Sequence, residues 1–591
     1  MKPRQIVQRD VPADHPLLGD ARLHPVLSRV YAARGIDDAD ALDLRLTRLA
    51  SPATLGGVEA ACRLLVDAID HDQSILVVGD FDCDGATGTA VAMRGLALLG
   101  ARRLAFRVPD RFIHGYGLSA ALVGELASAP PDLLITVDNG IACMAGAAAA
   151  KALGCKLIVT DHHLPGPCLP EADAIVNPNL QADAFPSKAL AGVGVMFYLL
   201  LALRAQLRAL GRYADQAQPD LSSLLDLVAV GTVADLVPLD HNNRVLVAAG
   251  LRRINAGQAC AGVAALVRVA GRDCARIDAS DLGFVVGPRI NAAGRLEDMR
   301  IGILCLLCDD AAMAARHASE LDAINRQRRD LQSGMVAEAE QWLATHHADA
   351  AAWPAALCLY DAGWHAGVIG LVASKIKERV HRPVFAFAPA GDAATELKGS
   401  ARSIPGVHIR DLLAEVDALH PGLIDRFGGH AMAAGLTLQH RHLEAFSAAL
   451  LVVVARRVDP RLFEACVLSD GVLAAAQIDL ALAEAIRAGG PWGQAFPEPM
   501  FDGQFDVESA RVMGERHLGL RLRCAQSGRP FDAVHFGGYD GVLPRGRWHY
   551  AYQPFIDEWR DERRLRLMIR HALACAEPAL APASRSPLLV T

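Results

Sequence analysis

The sequence predicts an α/β protein: a doubly wound parallel-sheet domain, a long linking helix, a second and smaller α/β domain, and a C-terminal β-barrel. Three observations carry that expectation. Short β-branched runs alternate with Ala-rich helical stretches from about residue 74 to about residue 180. The proline-free stretch "AARHASELDAINRQRRDLQSGMVAEAEQWLATHH" keeps a helical period throughout. After about residue 465 apolar residues alternate with polar ones, which is the period of a strand with one buried face.

Taken in order, residues 1–55 read as an N-terminal helical segment with two Pro-marked joints, "DHPLL" and "ASPAT". Residues 56–250 form the first domain. There "SILVVG", "DLLITVDNG", "CKLIVTDHH" and "ADAIVNPN" are short buried strands. The helices "ATGTAVAMRGLALLG" and "IACMAGAAAAKALG" lie between them. Strand, loop, helix, strand at this spacing implies parallel pairing. Residues 251–350 are helical and include the long linking helix. Its basic run, Arg326, Arg328 and Arg329, reads as a solvated face. A second α/β domain over 351–455 follows from "ALCLYD", "AGVIGLVASKIKERV" and "PVFAFAP". Over 460–575 several short antiparallel strands carry aromatics and arginines, and 501–572 holds 12 Arg against 10 Asp plus Glu. That pattern fits an oligonucleotide-binding (OB) barrel. The tail 576–591, with "EPALAPASRSP", reads as disordered.

Length and composition set outer bounds. At 591 residues, with 52% hydrophobic and 21% charged residues, the chain suits several soluble globular domains. No apolar run of membrane-spanning length lacks polar interruption, and the start has no signal-like core, so neither a membrane span nor a leader is expected. The 13 cysteines are scattered, mostly in apolar segments, which points to a reducing, cytoplasmic setting. Cys305 and Cys308 have no second pair nearby and read as buried thiols rather than a zinc site. The net charge of −7 argues against coating duplex nucleic acid through bulk charge, but leaves room for a local basic groove.

The chemistry concentrates at the carboxyl ends of the first-domain strands, where open α/β sheets bind ligands. "VVGDFDCDGATGTA" sets Asp80, Asp82 and Asp84 on alternate positions. Its opening resembles a calcium loop, but the twelfth position is Val91 instead of the required Glu, and a strand precedes it instead of a helix. An Asp-rich turn with Asp84 or Thr87 capping the next helix is the plain alternative. The following strands end in Asp138 and in Asp161, His162 and His163. Further on, Asp235 is a lone acid in the apolar, helix-like "SSLLDLVAVGTVADLVPL". A buried, unpaired carboxylate is costly, so Asp235 should face a cation. Carboxylates with one imidazole suit Mn²⁺ or Mg²⁺ better than structural zinc. So many acids can hold two divalent ions, the usual device for in-line phosphoryl hydrolysis.

"DFDCDG", "VDNG", "TDHH" and "GTVADLVPL" together resemble the four phosphoesterase motifs of the DHH family. The wider context, "PDRFIHGYGLS", "GPRINAAGRL", "GWHAGVIGLVASKI", "GSARSI" and "GGHAMAAG", is similar to the bacterial branch that degrades single-stranded DNA from its 5′ end. The resemblance runs from about residue 50 to about 570, and every metal-motif position is filled. It implies that Asp82, Asp84, Asp138, His162 and Asp235 are ligands for two Mn²⁺ or Mg²⁺ ions, with Asp138 bridging. It makes Asp80 a ligand or a partner of one. Asp161 would orient the histidines, and His163 would contact the scissile phosphate or its water. Arg111, Arg289, Asn291, Ser400 and Arg402 match a pocket for the terminal phosphate. Gly429 and His430 match a phosphate-contacting glycine loop in the second domain.

The function so implied is a single-stranded-DNA-specific 5′→3′ exonuclease that releases 5′-mononucleotides in DNA repair and recombination. The resemblance also implies a single-strand-binding protein and a helicase as partners. A monomer is expected. Two alternatives stay open: a phosphodiesterase or pyrophosphatase for small substrates, and a non-catalytic scaffold.

Overall fold

The computed structural model describes residues 4–111, 113–346, 353–390, 395–559 and 562–575. The expected disordered tail lies outside them. The chain divides into two compact units, one of residues 40–457 with 491–497, the other of residues 1–39, 458–490 and 498–591.

The larger unit contains the parallel sheet. Its five strands stand in the order Leu104–Arg107, Ile75–Val78, Leu133–Val137, Lys156–Thr160, Ala174–Val176, and every pair is parallel. Ile75–Val78 and Leu133–Val137 are buried at every position. That is why both read as continuous apolar runs without alternation. Within this sheet the first strand in chain order, Ile75–Val78, lies between the second and the third, so the winding reverses beside it. A crevice opens at such a switch point, outside the carboxyl ends of the strands. Asp80 and Asp138 follow the two strands that flank it.

The helix Gly192–Ala209 is long and apolar enough to cross a membrane by composition, but 61% of it is buried inside the protein. Leu199, Leu200 and Leu203 pack into the same core as the sheet strands. The helix Ala311–His346 runs 36 residues, about 54 Å at 1.5 Å per residue. It leads to a second sheet ordered Arg426–Gly429, Ala433–Gln439, Glu396–Arg402, Val384–Pro389, Leu357–Tyr360. Only the Leu357–Tyr360 and Val384–Pro389 pair is parallel.

The other unit holds a closed five-stranded barrel: Phe501–Met513, His517–Cys524, Pro530–His535, Glu562–Ala574, Gly546–Trp559. The sequence suggested antiparallel strands throughout. The closing pair, Pro530–His535 with Glu562–Ala574, is parallel instead. Closure removes the exposed edges of an open sheet, and this pair is formed between strands that are not consecutive.

Residues 1–55 are not one helical segment. Pro25–Ala32 is a helix, but Gln5–Gln8 is a strand paired in parallel with Cys466–Ser469. Arg34 donates to both carboxylate oxygens of Asp470 at 2.8 and 3.0 Å, and Tyr31 donates to the Gly489 carbonyl. These contacts tie the amino terminus to the barrel unit. A four-residue strand whose partner lies hundreds of positions downstream leaves no local signal.

Candidate metal centre

Each acidic candidate is placed by backbone geometry. Asp82 caps the helix Cys83–Leu98, accepting from the Gly85 N–H at 3.0 Å, so the cap is neither Asp84 nor Thr87. Asp84 lies in the first turn. Its carboxylate accepts from Gly192 N–H at 2.6 Å and Val193 N–H at 2.9 Å, the first amides of the buried helix Gly192–Ala209. Helix N-termini favour anions, so this contact holds a carboxylate in place while burying it. Asp138 has φ +63°, a left-handed conformation that costs a non-glycine residue energy. Gly192 makes room for it, since a Cβ there would lie 2.5 Å from the Asp138 Cβ. Asp235 ends the helix Leu225–Ala234.

These elements converge. His162 Nε2 lies 3.1 Å from Asp138 Oδ1, 3.5 Å from Asp235 Oδ2 and 3.9 Å from Asp84 Oδ2. Ligand atoms of Asp84, His162 and Asp235 fall within 4.8 Å of one another, and so do those of Asp80, Asp82 and Asp138. Asp138 and His162 also group with His163. Two sets of donors thus meet around Asp138.

The electrostatics demand a cation. Burial, followed by repulsion from neighbouring carboxylates, drives Asp80, Asp138 and Asp235 well above the usual carboxylate range. Asp84 is pushed up to about 7 by burial and Asp82, despite its two amide donors. His162 is lowered to about 4 by burial and by His163, so its ring is neutral and offers a lone pair. Asp80 Oδ1, Asp138 Oδ1 and His162 Nε2 are buried without a hydrogen-bond partner. Three orphaned donor atoms of this type in one crevice fit hard divalent ions.

Asp161 does different work. It accepts from the backbone N–H of Ile141, His162 and His163, and from His163 Nδ1 at 2.7 Å. That contact places the proton on Nδ1 and leaves Nε2 facing outward. Burial lowers the His163 pKa, but Asp161 and the other acids outweigh it and the net shift is upward. The His163 ring stacks on His430 of the second domain, with centroids 5.7 Å apart.

Beside the Asp80 and Asp82 side lies an arginine pocket. The Arg111 guanidinium sits 4.1 Å over the Phe81 ring. Arg402 donates to Ser400 Oγ at 3.0 Å and to the Ala401 carbonyl. Both residues crowd the start of the helix Ile369–Val380, where a Cβ on Gly370 would lie 2.8 Å from each side chain. Arg295, which the sequence reading passed over, is half-buried and donates to the Gly367 carbonyl at 3.3 Å. Burial and the charges of Arg111, Arg402 and Arg328 depress it, and Asp82 opposes them. Three half-buried guanidiniums, two of them beside the start of a helix, make a receptor for an anion.

Other candidates fall elsewhere. Arg289 is held by Asp322 and by the Val285 carbonyl, which fastens its helix to the long one. Asn291 Oδ1 accepts from Cys83 N–H, so it braces the metal loop. Helix phase could have separated the two arginines: Arg295 is four residues from Asn291 and shares its face, whereas Arg289 does not. Gly429, at φ +140°, is required by the hairpin, because a Cβ would meet the Ala433 carbonyl at 2.5 Å. Arg328 is half-buried and bonded to Asn325 and Gln332, unlike its solvated neighbours Arg326 and Arg329. Tyr116 was also missed. Its hydroxyl donates to the Asp138 carbonyl at 3.0 Å and lies 3.3 Å from His163 Nδ1.

Comparison with known proteins decides the family. Residues 74–232 match the DHH family, N-terminal domain, residues 354–455 the DHHA1 domain, and residues 469–571 the RecJ OB domain. The single-stranded-DNA-specific exonuclease RecJ of Dickeya dadantii is 47% identical over 93% of this chain and 96% of its own length. The chain belongs to the RecJ family. RecJ of Salmonella typhimurium is also 47% identical, over 96% of this chain and 98% of its own. Among solved structures, RecJ from Thermus thermophilus in complex with Mn²⁺ matches with a TM-score of 0.80 and 30% identity, covering 97% of this chain and 80% of that one. A second structure of RecJ from the same source is in complex with Mg²⁺. This RecJ-family chain is therefore a metal-dependent nuclease of the DHH phosphoesterases, with an OB barrel at its carboxyl end.

Proposed function

We propose that the protein degrades single-stranded DNA from the 5′ end, releasing 5′-mononucleotides in repair and recombination. The observation that carries this reading is the pairing of the carboxylate crevice with the arginine pocket beside it. Asp82 and Asp80 face Arg111, and Asp82 faces Arg295. A terminal phosphate held by Arg111, Arg295, Arg402 and Ser400 sets the first phosphodiester over the carboxylates. Anchoring a terminal phosphate there would favour cutting from a strand end, and the resemblance to the family supplies the 5′ polarity.

Asp80, Asp82, Asp84, Asp138, His162 and Asp235 would hold two divalent ions. Bound there, such ions supply an activated water and offset charge on phosphorus. The chain's own residues do the rest. The two amides at Gly192 and Val193 hold Asp84 in place and favour its ionised form against burial. Tyr116 holds the Asp138 backbone in its strained conformation. Asp161 keeps the Nδ1 proton of His163 and favours the protonated ring, which would present Nε2–H to a phosphoryl oxygen at the scissile bond. His430 packs against the same ring from the second domain.

The test is a strand labelled at either end, incubated with Mn²⁺. Labelled mononucleotide should appear at once from a 5′ label and only at the end of digestion from a 3′ label. In Arg402→Ala, KM for a 5′-phosphorylated strand should rise roughly 10- to 100-fold, as expected for loss of a charge-assisted contact. Immediate release of the 3′ label would overturn the proposed direction. Hydrolysis confined to dinucleotides or pyrophosphate would favour the small-substrate reading.

A further inference from the structure

Two large apolar side chains stand exposed at the end of the helix that delivers Asp235 and on the turn packed against it. Leu236, directly after Asp235, is 66% exposed and has φ +61°. A leucine in the left-handed region is strained, although here it closes the helix end, its N–H donating to the Val233 carbonyl at 3.3 Å. Phe284 is 78% exposed. It sits on a π-helical turn, Leu282–Val286, an irregularity that recurs at functional sites. The two belong together. A Cβ on Gly283 would lie 3.2 Å from Val233 Cγ1, and one on Gly287 would lie 3.0 Å from the Ala234 Cβ. The π turn is thus packed against the last residues of the helix that delivers Asp235 and Leu236. From there the chain runs directly into the helix Gly287–Leu296, which carries Asn291 under the metal loop and Arg295 into the arginine pocket.

We infer that Phe284 and Leu236 form a stacking platform for an unpaired nucleobase on the 3′ side of the scissile bond. The inference rests on the exonuclease reading above. The arginine pocket lies by Asp80 and Asp82, whereas Asp235 groups with Asp84 and His162. A strand whose terminal phosphate is in the pocket and whose first phosphodiester is at the carboxylates must leave past Asp235. Its next bases then meet Leu236 and Phe284. Every base has an apolar face, so the platform grips without reading sequence. A base still paired in a duplex is stacked on its neighbours and cannot lie on it, so the platform also favours single strands.

The test compares intact 5′-phosphorylated strands with strands carrying an abasic residue at the second or third nucleotide, using the full chain and Mn²⁺. With the natural residue at 284, one of those abasic positions should raise KM roughly 5- to 100-fold and leave kcat nearly unchanged. Phe284→Ala should raise KM for the intact strand by a similar factor and remove the abasic effect, and Phe284→Trp should restore both. A 2-aminopurine at the sensitive position should be quenched on binding in the presence of EDTA, and less so in Phe284→Ala. An unchanged KM in Phe284→Ala, or an abasic penalty that persists in it, would overturn the platform. An intact strand left uncut by the unsubstituted chain would overturn the exonuclease reading first, and the platform with it.

Discussion

Asp138 is both the most strained and the most crowded side chain of the crevice. It combines a left-handed backbone, burial and repulsion from four other carboxylates. Asn accepts the left-handed region about as readily and carries no charge. Asp138→Asn should therefore raise the thermal midpoint of metal-free protein while lowering Mn²⁺-dependent hydrolysis by at least about a thousandfold, the trade expected where function stores strain. A lower midpoint with retained activity would mean that the strain is structural. The acids were legible in the sequence because each follows a recognisable strand and a lone acid in an apolar run needs a reason. Arg289 and Arg295 were not separated, because the choice depends on helix phase relative to a wall that the sequence does not display. Tyr116 was hidden for another reason: its role runs through a hydroxyl aimed at a backbone carbonyl, and no spacing encodes that.

At the scale of elements, the helix Ile369–Val380 brings its first turn to Ser400 and Arg402 on the neighbouring strand. Gly370→Ala puts a methyl group 2.8 Å from both polar side chains. The expected result is a KM increase similar to that of Arg402→Ala, with kcat little changed; steady-state kinetics on phosphorylated strands would check it. The amino-terminal segment offers a stability test. The side chains of Arg34 and Asp470 are each 1% exposed, and removing Arg34 leaves the buried carboxylate, among the described residues, only Arg9 at 3.5 Å and the Met500 N–H at 2.9 Å. Arg34→Ala should cost about 1.5–3 kcal/mol in chemical denaturation of the full chain, more than a surface pair. The parallel sheet could be read from the sequence because buried strands and crossover helices repeat within a short span. The Gln5–Gln8 strand and the parallel closing pair of the barrel could not, because their partners are distant and side-chain alternation does not distinguish parallel from antiparallel neighbours.

For the molecule as a whole, the crevice links pH, metal and stability. In metal-free protein the carboxyl of Asp84 titrates near 7 when folded, far above an unfolded aspartate. A raised folded value stabilises the protonated state, so that stabilisation is present at low pH and is lost as pH rises through about 7. In EDTA the thermal midpoint should fall between pH 5.5 and 8, and Mn²⁺ at pH 8 should restore it; a flat profile would contradict the electrostatic reading. The measurement that goes most directly to the centre is calorimetric titration of Mn²⁺ into the full chain and into Asp138→Asn at neutral pH. Two ions per chain, reduced to one or none in the variant, are expected if the carboxylates of the crevice share Asp138. Equal binding by both proteins, or no binding by either, would contradict the metal centre on which the proposed hydrolysis depends.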